Sequence, residues 1–256
     1  MDDKKEHFFE SRIQDLALQA INTNVAVFTD FLTSAEYGLV EKISKYYSDI
    51  DTVFWGGHED CDHFIAAFVP LDYKEYFSRD QFPIDCIKIC PRGSKFAQSL
   101  EHRDYLGAIL NLGMERSKIG DIRLSNKEAY VFCQSDFAPL LLGELNMVKH
   151  TSVDLIRVED PEEIPPQEYE LFSTSIASPR LDNVVSAATG LSRTKAATLV
   201  RQGMVVANHR QETSVSYLCP NNSLMTVRRY GKFRLVYEAG DLTKKGKQKI
   251  TIYKYK

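Results

Sequence analysis

Arg180-Leu181-Asp182-Asn183-Val184-Val185-Ser186-Ala187-Ala188-Thr189-Gly190, continued by Leu191-Ser192-Arg193-Thr194-Lys195-Ala196-Ala197-Thr198-Leu199-Val200-Arg201-Gln202-Gly203-Met204-Val205-Val206-Ala207-Asn208, is the stretch on which the fold turns. Leu181, Val184, Val185 and Ala188 fall at i, i+3, i+4 and i+7, the apolar stripe of a short helix. Gly190 can take the left-handed conformation that ends it. Ser192 then offers a hydroxyl to a free backbone N–H, as an N-cap does. The next helix buries Ala196, Leu199 and Val200 and stops at Gly203. Val205-Val206 is a β-type pair, so the stretch reads as two helices followed by a strand.

The polar side of the second helix is basic. At ~100° per residue, Arg193, Thr194 and Arg201 lie within roughly 100° of one another, and Lys195 falls on the other flank. The helix N-terminus carries partial positive charge, so Ser192, Arg193 and the first-turn amides suit a phosphate. Charge along the chain agrees. The net charge is −3, yet residues 180–256 hold 15 Lys and Arg against 4 Asp and Glu, and residues 1–179 hold 17 against 31. A basic end joined to an acidic body argues for a polyanion partner at one end.

Arg-Leu-Asp, then Gly-Leu-Ser-Arg-Thr-Lys-Ala, then Gly-x-Val-x-x-Asn, then Val227-Arg228-Arg229-Tyr230-Gly231-Lys232-Phe233 resembles the domain named after ribosomal protein S-four, also called the alpha-L RNA-binding motif. The chain as a whole is similar to the YlmH family, which ends in this domain. It departs from the family at Asn222-Ser223, where Gly-Asp is usual; Asn also tolerates turn geometry. The resemblance implies association with ribosomal RNA on the large subunit. It also implies ribosome-associated quality control, in which the stalled large subunit still holds peptidyl-tRNA. The site read on this basis takes charge from Arg180, Arg193 and Lys195 and hydroxyls from Ser192 and Thr194. Arg201, Asn208, Arg228 and Lys232 extend it. The exposed place of Arg193 predicts that Arg193→Ala costs about 1–2 kcal/mol in RNA binding with folding intact.

The 256 residues suffice for two or three small domains, and 43% apolar with 26% charged content is ordinary globular composition. Met1-Asp2-Asp3-Lys4-Lys5-Glu6-His7 precedes no apolar signal core, and no run approaches a membrane span, which predicts a cytoplasmic chain. Five cysteines (Cys61, Cys86, Cys90, Cys133 and Cys219) form no C-x-x-C pair. Cys86 and Cys90 share a strand face, where core packing is expected.

The expected fold class is α+β in three small domains. Residues 1–80 form an N-terminal α/β domain, with helices at 8–21 and from Thr33-Ser34-Ala35-Glu36 to about Tyr47, and strands at 25–28, 53–55 and 64–69. Between them, His58-Glu59-Asp60-Cys61-Asp62-His63 tempts as a metal cluster; family members resemble Gly-Gly-x-x-x-Ala-Glu-Arg there, and a polar loop is expected. Residues 81–160 read as βαββαβ, the ferredoxin-like order of RNA-recognition domains. Its strands are 84–89, 120–124, 129–133 and 153–158, its helices 99–112 and 135–145, with a turn at Ser125-Asn126. Tyr130 and Phe132 alternate onto one face, for base stacking or for a core. His102-Arg103-Asp104-Tyr105-Leu106-Gly107 and Arg116-Ser117-Lys118-Ile119-Gly120-Asp121-Ile122 match YlmH-family segments. They read either as helix capping with ion pairs, or as auxiliary RNA contacts through Arg103, Arg116 or Lys118.

Residues 161–178 are a linker, opened by Asp160-Pro161-Glu162-Glu163-Ile164-Pro165-Pro166, with a leading strand at 168–176. Residues 179–256 are the S-four-type domain, with strands at 205–207, 214–218, 224–228, 232–237 and 250–253. Lys244 and Lys245 stand in a lysine-rich loop that seeks phosphate.

Arg180-Leu181-Asp182 also mimics the catalytic triplet of pseudouridine synthases, but Asn183-Val184-Val185 continues a helix where Thr-Ser-Gly-Leu is needed. Asp182 is therefore read as structural, pairing or capping. No phosphate loop, nucleophile elbow or His-Glu-x-x-His is present. The expectation is a non-catalytic RNA-binding protein without cofactor, metal or small-molecule substrate. Two alternatives stand beside it: a cell-division interaction protein using the acidic body, and an RNA-modifying enzyme centred on His58–His63 or His102–Asp104.

Overall fold

The computed structural model describes residues 3–59, 61–93 and 100–255. The chain is an α+β protein that divides into two compact units, Met1–Pro166 and Gln167–Lys256.

The first unit opens with α1 (Asp3–Thr23), β1 (Val27–Phe31), α2 (Ser34–Ser44), β2 (Ile50–Trp55) and β3 (Ile65–Pro70). Thr33 and Glu36 form the expected capping box on α2. The strands make an antiparallel sheet in the order β1-β3-β2. Every residue of the central β3 is buried, because the sheet is covered twice. Ala66 and Phe68 face α1 and α2, where Ile13, Ala17, Ala20 and Val40 lie. Ile65, Ala67 and Val69 face the other way, onto a second sheet.

That second sheet comes from β4 (Ile84–Pro91), α3 (His102–Leu110), β5 (Ile119–Ser125), β6 (Glu128–Gln134), α4 (Ala138–Glu144), β7 (Met147–Val148) and β8 (Thr151–Arg157). Its order, β5-β6-β4-β8-β7 with antiparallel neighbours, is the ferredoxin-like arrangement with one short edge strand added. The expected start of the first helix at Ser99 lies outside the described residues, and α3 is visible from His102. The β5–β6 turn centres on Asn126 and Lys127, both with positive φ (48° and 69°), one residue later than expected. One sheet face packs on α3 and α4 through Ile87, Ile89 and Val131. The other presents Cys86, Tyr130 and Phe132 to β3. The two sheets therefore share a core, and Ile164 closes it. At one margin Trp55 lies under the Arg79 guanidinium, 4.2 Å from its ring centroid.

The second unit contains β9 (Tyr169–Ile176), α5 (Leu181–Thr189), α6 (Arg193–Arg201), β10 (Val205–Ala207), β11 (Arg210–Gln211), β12 (Ser223–Val227), β13 (Gly231–Val236) and β14 (Gln248–Tyr255). These strands form one antiparallel sheet, β11-β10-β12-β13-β14-β9. α5 and α6 cover its inner face through Leu181, Val184, Ala196 and Val200, against Met225, Phe233, Leu235 and Ile252. Gly190 ends α5 with φ 71°, as its sequence position implied. Asn222 takes φ 63° and opens β12.

The strand expected at 214–218 is not formed. Its carbonyls are used elsewhere: Tyr217 O accepts from Leu181 N at 2.8 Å and Val215 O from Asp182 N at 3.3 Å. They serve two of the amides that the first turn of α5 leaves without helical partners.

Candidate nucleic-acid interface

The site is built on the first turns of α5 and α6. Asp182, at the start of α5, is buried, with its side chain 6% exposed. Arg180 Nε donates to Asp182 Oδ1 at 3.2 Å and Arg193 Nε donates to Asp182 Oδ2 at 2.8 Å. One carboxylate therefore holds two guanidinium groups that are 11 and 2 residues from it in the chain. Burial alone would raise the Asp182 pKa; the hydrogen bonds and charges of Arg193 and Arg180 outweigh it and hold the carboxyl below its ordinary value. Each Arg uses its Nε in this clamp. Asp182 fixes their stems while Arg193 stays 57% exposed.

Arg193 is exposed, as expected, and is also tied to Asp182. At ~100° per residue it falls on the side of α6 that carries Ala196, Ala197 and Val200, so it is turned toward α5. Thr194, Lys195, Thr198 and Arg201 occupy the solvent side and are exposed. Ser192 caps α6, its Oγ accepting from Lys195 N at 3.4 Å. Arg201 closes the helix, roughly 12 Å from Arg193 at 1.5 Å per residue. Arg228 is exposed beside that end, its N–H bonded to Met204 O at 2.9 Å just past α6. The Arg228-Arg229-Tyr230 tip of the β12–β13 hairpin adds Arg229, also exposed, with φ 73°. Sequence reading quoted Arg229 without choosing it; two adjacent arginines before a glycine between alternating strands were the signal.

Two chosen residues lie elsewhere. Asn208 is a turn residue with φ 46°: its Oδ1 accepts from Leu224 N at 2.9 Å and its Nδ2 donates to Ser223 Oγ at 3.3 Å. Its side chain organises the sheet and is not offered to a ligand. Lys232 points from the sheet face opposite the helices, with Nζ 4.8 Å from the Tyr255 ring centroid. It belongs to a different surface from Arg193. Lys244 and Lys245 are exposed in a loop tied by Thr243, whose Oγ1 accepts from Lys247 N at 3.0 Å.

In the first unit, the motif residues are largely structural. Lys118 pairs with Asp30 at 2.5 Å, both mostly buried, and Gln134 Nε2 donates to the same carboxylate at 3.0 Å. Arg116 donates to Ile119 O and stands 3.4 Å from His63 Nε2. Arg103 is exposed and pairs with Glu101 at 2.9 Å. Asp104 accepts from Glu101 N at 2.8 Å and pairs with Lys149 at 2.8 Å, which is the capping role. The described residues of 58–63 form a polar loop knit by Asp121, whose carboxylate takes the Asp62 N–H and His63 Nδ1 at 2.5 Å each. Arg123 supports it from below, with Nη1 3.1 Å from His58 Nδ1 and 3.3 Å from Pro165 O. Asp60 lies outside the described residues. Among the described residues, no three His, Cys, Asp or Glu side chains are grouped to hold a metal. Burial pushes the thiols of Cys86, Cys133 and Cys219 up to about 12, so they stay protonated near neutral pH. Tyr130 and Phe132 lie in the core between the two sheets, so base stacking on them is closed.

Comparison with known proteins adds three findings. Residues 78–162 match the sequence family described as "Putative RNA-binding domain in YlmH". The chain is 27% identical over 229 residues to "Ribosome-associated protein quality control protein P2" of Bacillus subtilis (strain 168), covering 89% of this chain and 87% of that protein. A solved structure, "Cell division protein ylmH from Streptococcus pneumoniae", superposes on 63% of this chain and 95% of its own length with a TM-score of 0.50 and 21% identity. At that identity the likeness speaks for the fold alone. No helix among the described residues is long and apolar enough to cross a membrane.

Proposed function

We propose that this chain is a non-catalytic RNA-binding protein that docks on structured ribosomal RNA of the large subunit through α5, α6 and the Arg228–Tyr230 hairpin. The observation that carries the reading is the Asp182 clamp, which sets Arg180 and Arg193 together at the N-terminus of α6. Guanidinium groups fixed beside free helix amides suit phosphate recognition. Lys195 and Arg201 continue the charge along α6, and the unit's surplus of basic residues supplies the long-range attraction. The matched RNA-binding family over residues 78–162 and the name of the Bacillus subtilis relative support ribosome-associated quality control as the setting. Peptidyl-tRNA held on the large subunit is then a neighbouring ligand.

The test is sedimentation of the tagged chain through sucrose gradients of cell lysate at low and high salt. Lys195→Ala with Arg201→Ala is run beside wild type, since neither side chain joins the Asp182 clamp. Salt-sensitive migration with free large subunits, lost in the double variant, is expected. Migration at the top of the gradient in both salts would overturn the reading and favour a protein partner.

A further inference from the structure

The helices cover one face of the second unit's sheet; the other face has a composition of its own. Its outward positions follow from the register. Thr226 pairs with Lys232, Leu224 with Arg234, Arg234 with Tyr253, Tyr253 with Leu171, and Tyr255 with Tyr169. Their strand neighbours Phe233, Leu235, Ile250 and Ile252 all point into the core. No Asp or Glu occupies any outward position of β9, β10, β12, β13 or β14. At one end the 238–243 loop brings acids to the face, and Asp241 takes Lys249 Nζ at 2.7 Å; the end around Lys232, Arg234, Tyr253 and Tyr255 is basic and aromatic.

Its side chains are arranged in advance of any ligand. Tyr169 meets Tyr253 edge-on, with centroids 5.5 Å apart, and Tyr255 likewise at 4.9 Å. Arg234 Nη2 donates to Tyr255 Oη at 2.9 Å, and Lys232 Nζ stands 4.8 Å from the Tyr255 ring. Leu171, beside Tyr253, is 58% exposed. Cross-strand aromatic pairs alone would stabilise a sheet. They do not explain why Lys232 and Arg234 stand among the rings. Cations beside partly open aromatic and aliphatic surface match a strand with a phosphate backbone and splayed bases. A six-stranded sheet is too broad to enter a duplex groove, but its face can receive unpaired bases.

We infer that the outer face of this sheet binds a single-stranded stretch of RNA, with bases against Tyr253 and Leu171 and phosphates toward Lys232 and Arg234. This inference rests on the RNA reading above for its class of ligand, but it uses a different face and a different RNA form. Each can therefore fail alone.

The experiment is fluorescence anisotropy on the full chain with two labelled RNAs: an oligouridine of about ten nucleotides and a stem-loop. Variants are Tyr253→Ala, Tyr253→Phe, Arg234→Gln and Lys195→Ala, each checked for folding by circular dichroism. Wild type is expected to bind the oligouridine, about tenfold more weakly after Tyr253→Ala, severalfold more weakly after Arg234→Gln, and unchanged after Tyr253→Phe. Lys195→Ala is expected to weaken only the stem-loop. Should Tyr253→Ala fail to fold, the Arg234→Gln and Tyr253→Phe pair carries the same contrast. Wild type that ignores oligouridine overturns the inference, as does oligouridine binding that Lys195→Ala removes and Arg234→Gln spares. A wild type that binds oligouridine but ignores the stem-loop would instead count against the helical interface.

Discussion

Asp182 and Arg193 are placed so that a side chain proposed for recognition also bears on stability. The buried carboxylate would be costly without its two guanidinium partners. Removing Arg193 leaves it with Arg180 and the Asn183 N–H, which donates to Oδ1 at 3.1 Å. Arg193→Ala is therefore expected to cost about 1 kcal/mol in stability, from the lost charged hydrogen bond, on top of about 1–2 kcal/mol in RNA binding. Chemical denaturation beside RNA titration separates the two; unchanged stability would mean the clamp contributes nothing. Asp182→Asn tests the same clamp from its centre and is expected to lower stability by about 2 kcal/mol at neutral pH. The sign of its pH dependence follows from the lowered carboxyl pKa. The ionised form is favoured in the folded state, so its contribution is complete above the unfolded value of about 3.9 and is lost as pH falls through the lower folded value. The stability difference between wild type and Asp182→Asn should shrink below about pH 4. The sequence made Asp182 legible as a pairing or capping residue. It did not show that Arg193 was the partner, because a helix wheel places side chains around one axis and says nothing of what the next helix brings.

At the level of elements, what was legible was local. The Thr33–Glu36 capping box, the Gly190 cap and the Ser192 N-cap rest on residues a few positions apart, and they formed as expected. The Val215–Tyr217 alternation misled, because period-two burial also arises where a loop lies against a helix start. Gly56 shows a constraint of the same long-range kind. A Cβ there would lie 2.5 Å from both Cys61 Cβ and the carbonyl oxygen of His63, and neither is the end of a flexible chain. Gly56→Ala is expected to cost about 2 kcal/mol and to loosen the loop that Asp121 gathers. A thermal melt within a degree of wild type would show that the loop yields freely.

For the whole molecule, the division of charge was plain from composition, while the burial of Tyr130 and Phe132 was not. Their alternation fitted a stacking face and a core equally. Only the approach of β3, some sixty residues earlier in the chain, decides between them. The consequence for function is that recognition by the basic unit should dominate the electrostatics. If about five phosphates are neutralised, the logarithm of the RNA association constant should fall with the logarithm of salt at a slope of about −4. A slope near zero would remove the polyanion reading altogether.

The placement of Trp55 has a spectroscopic consequence. It is the chain's single tryptophan, and it stands in the first unit under Arg79. Indole emission therefore reports the unfolding of that unit alone, while far-ultraviolet dichroism sums both. Coincident curves from the two probes would mean that the units melt as one cooperative system. Divergent curves would give each unit its own free energy without cutting the chain.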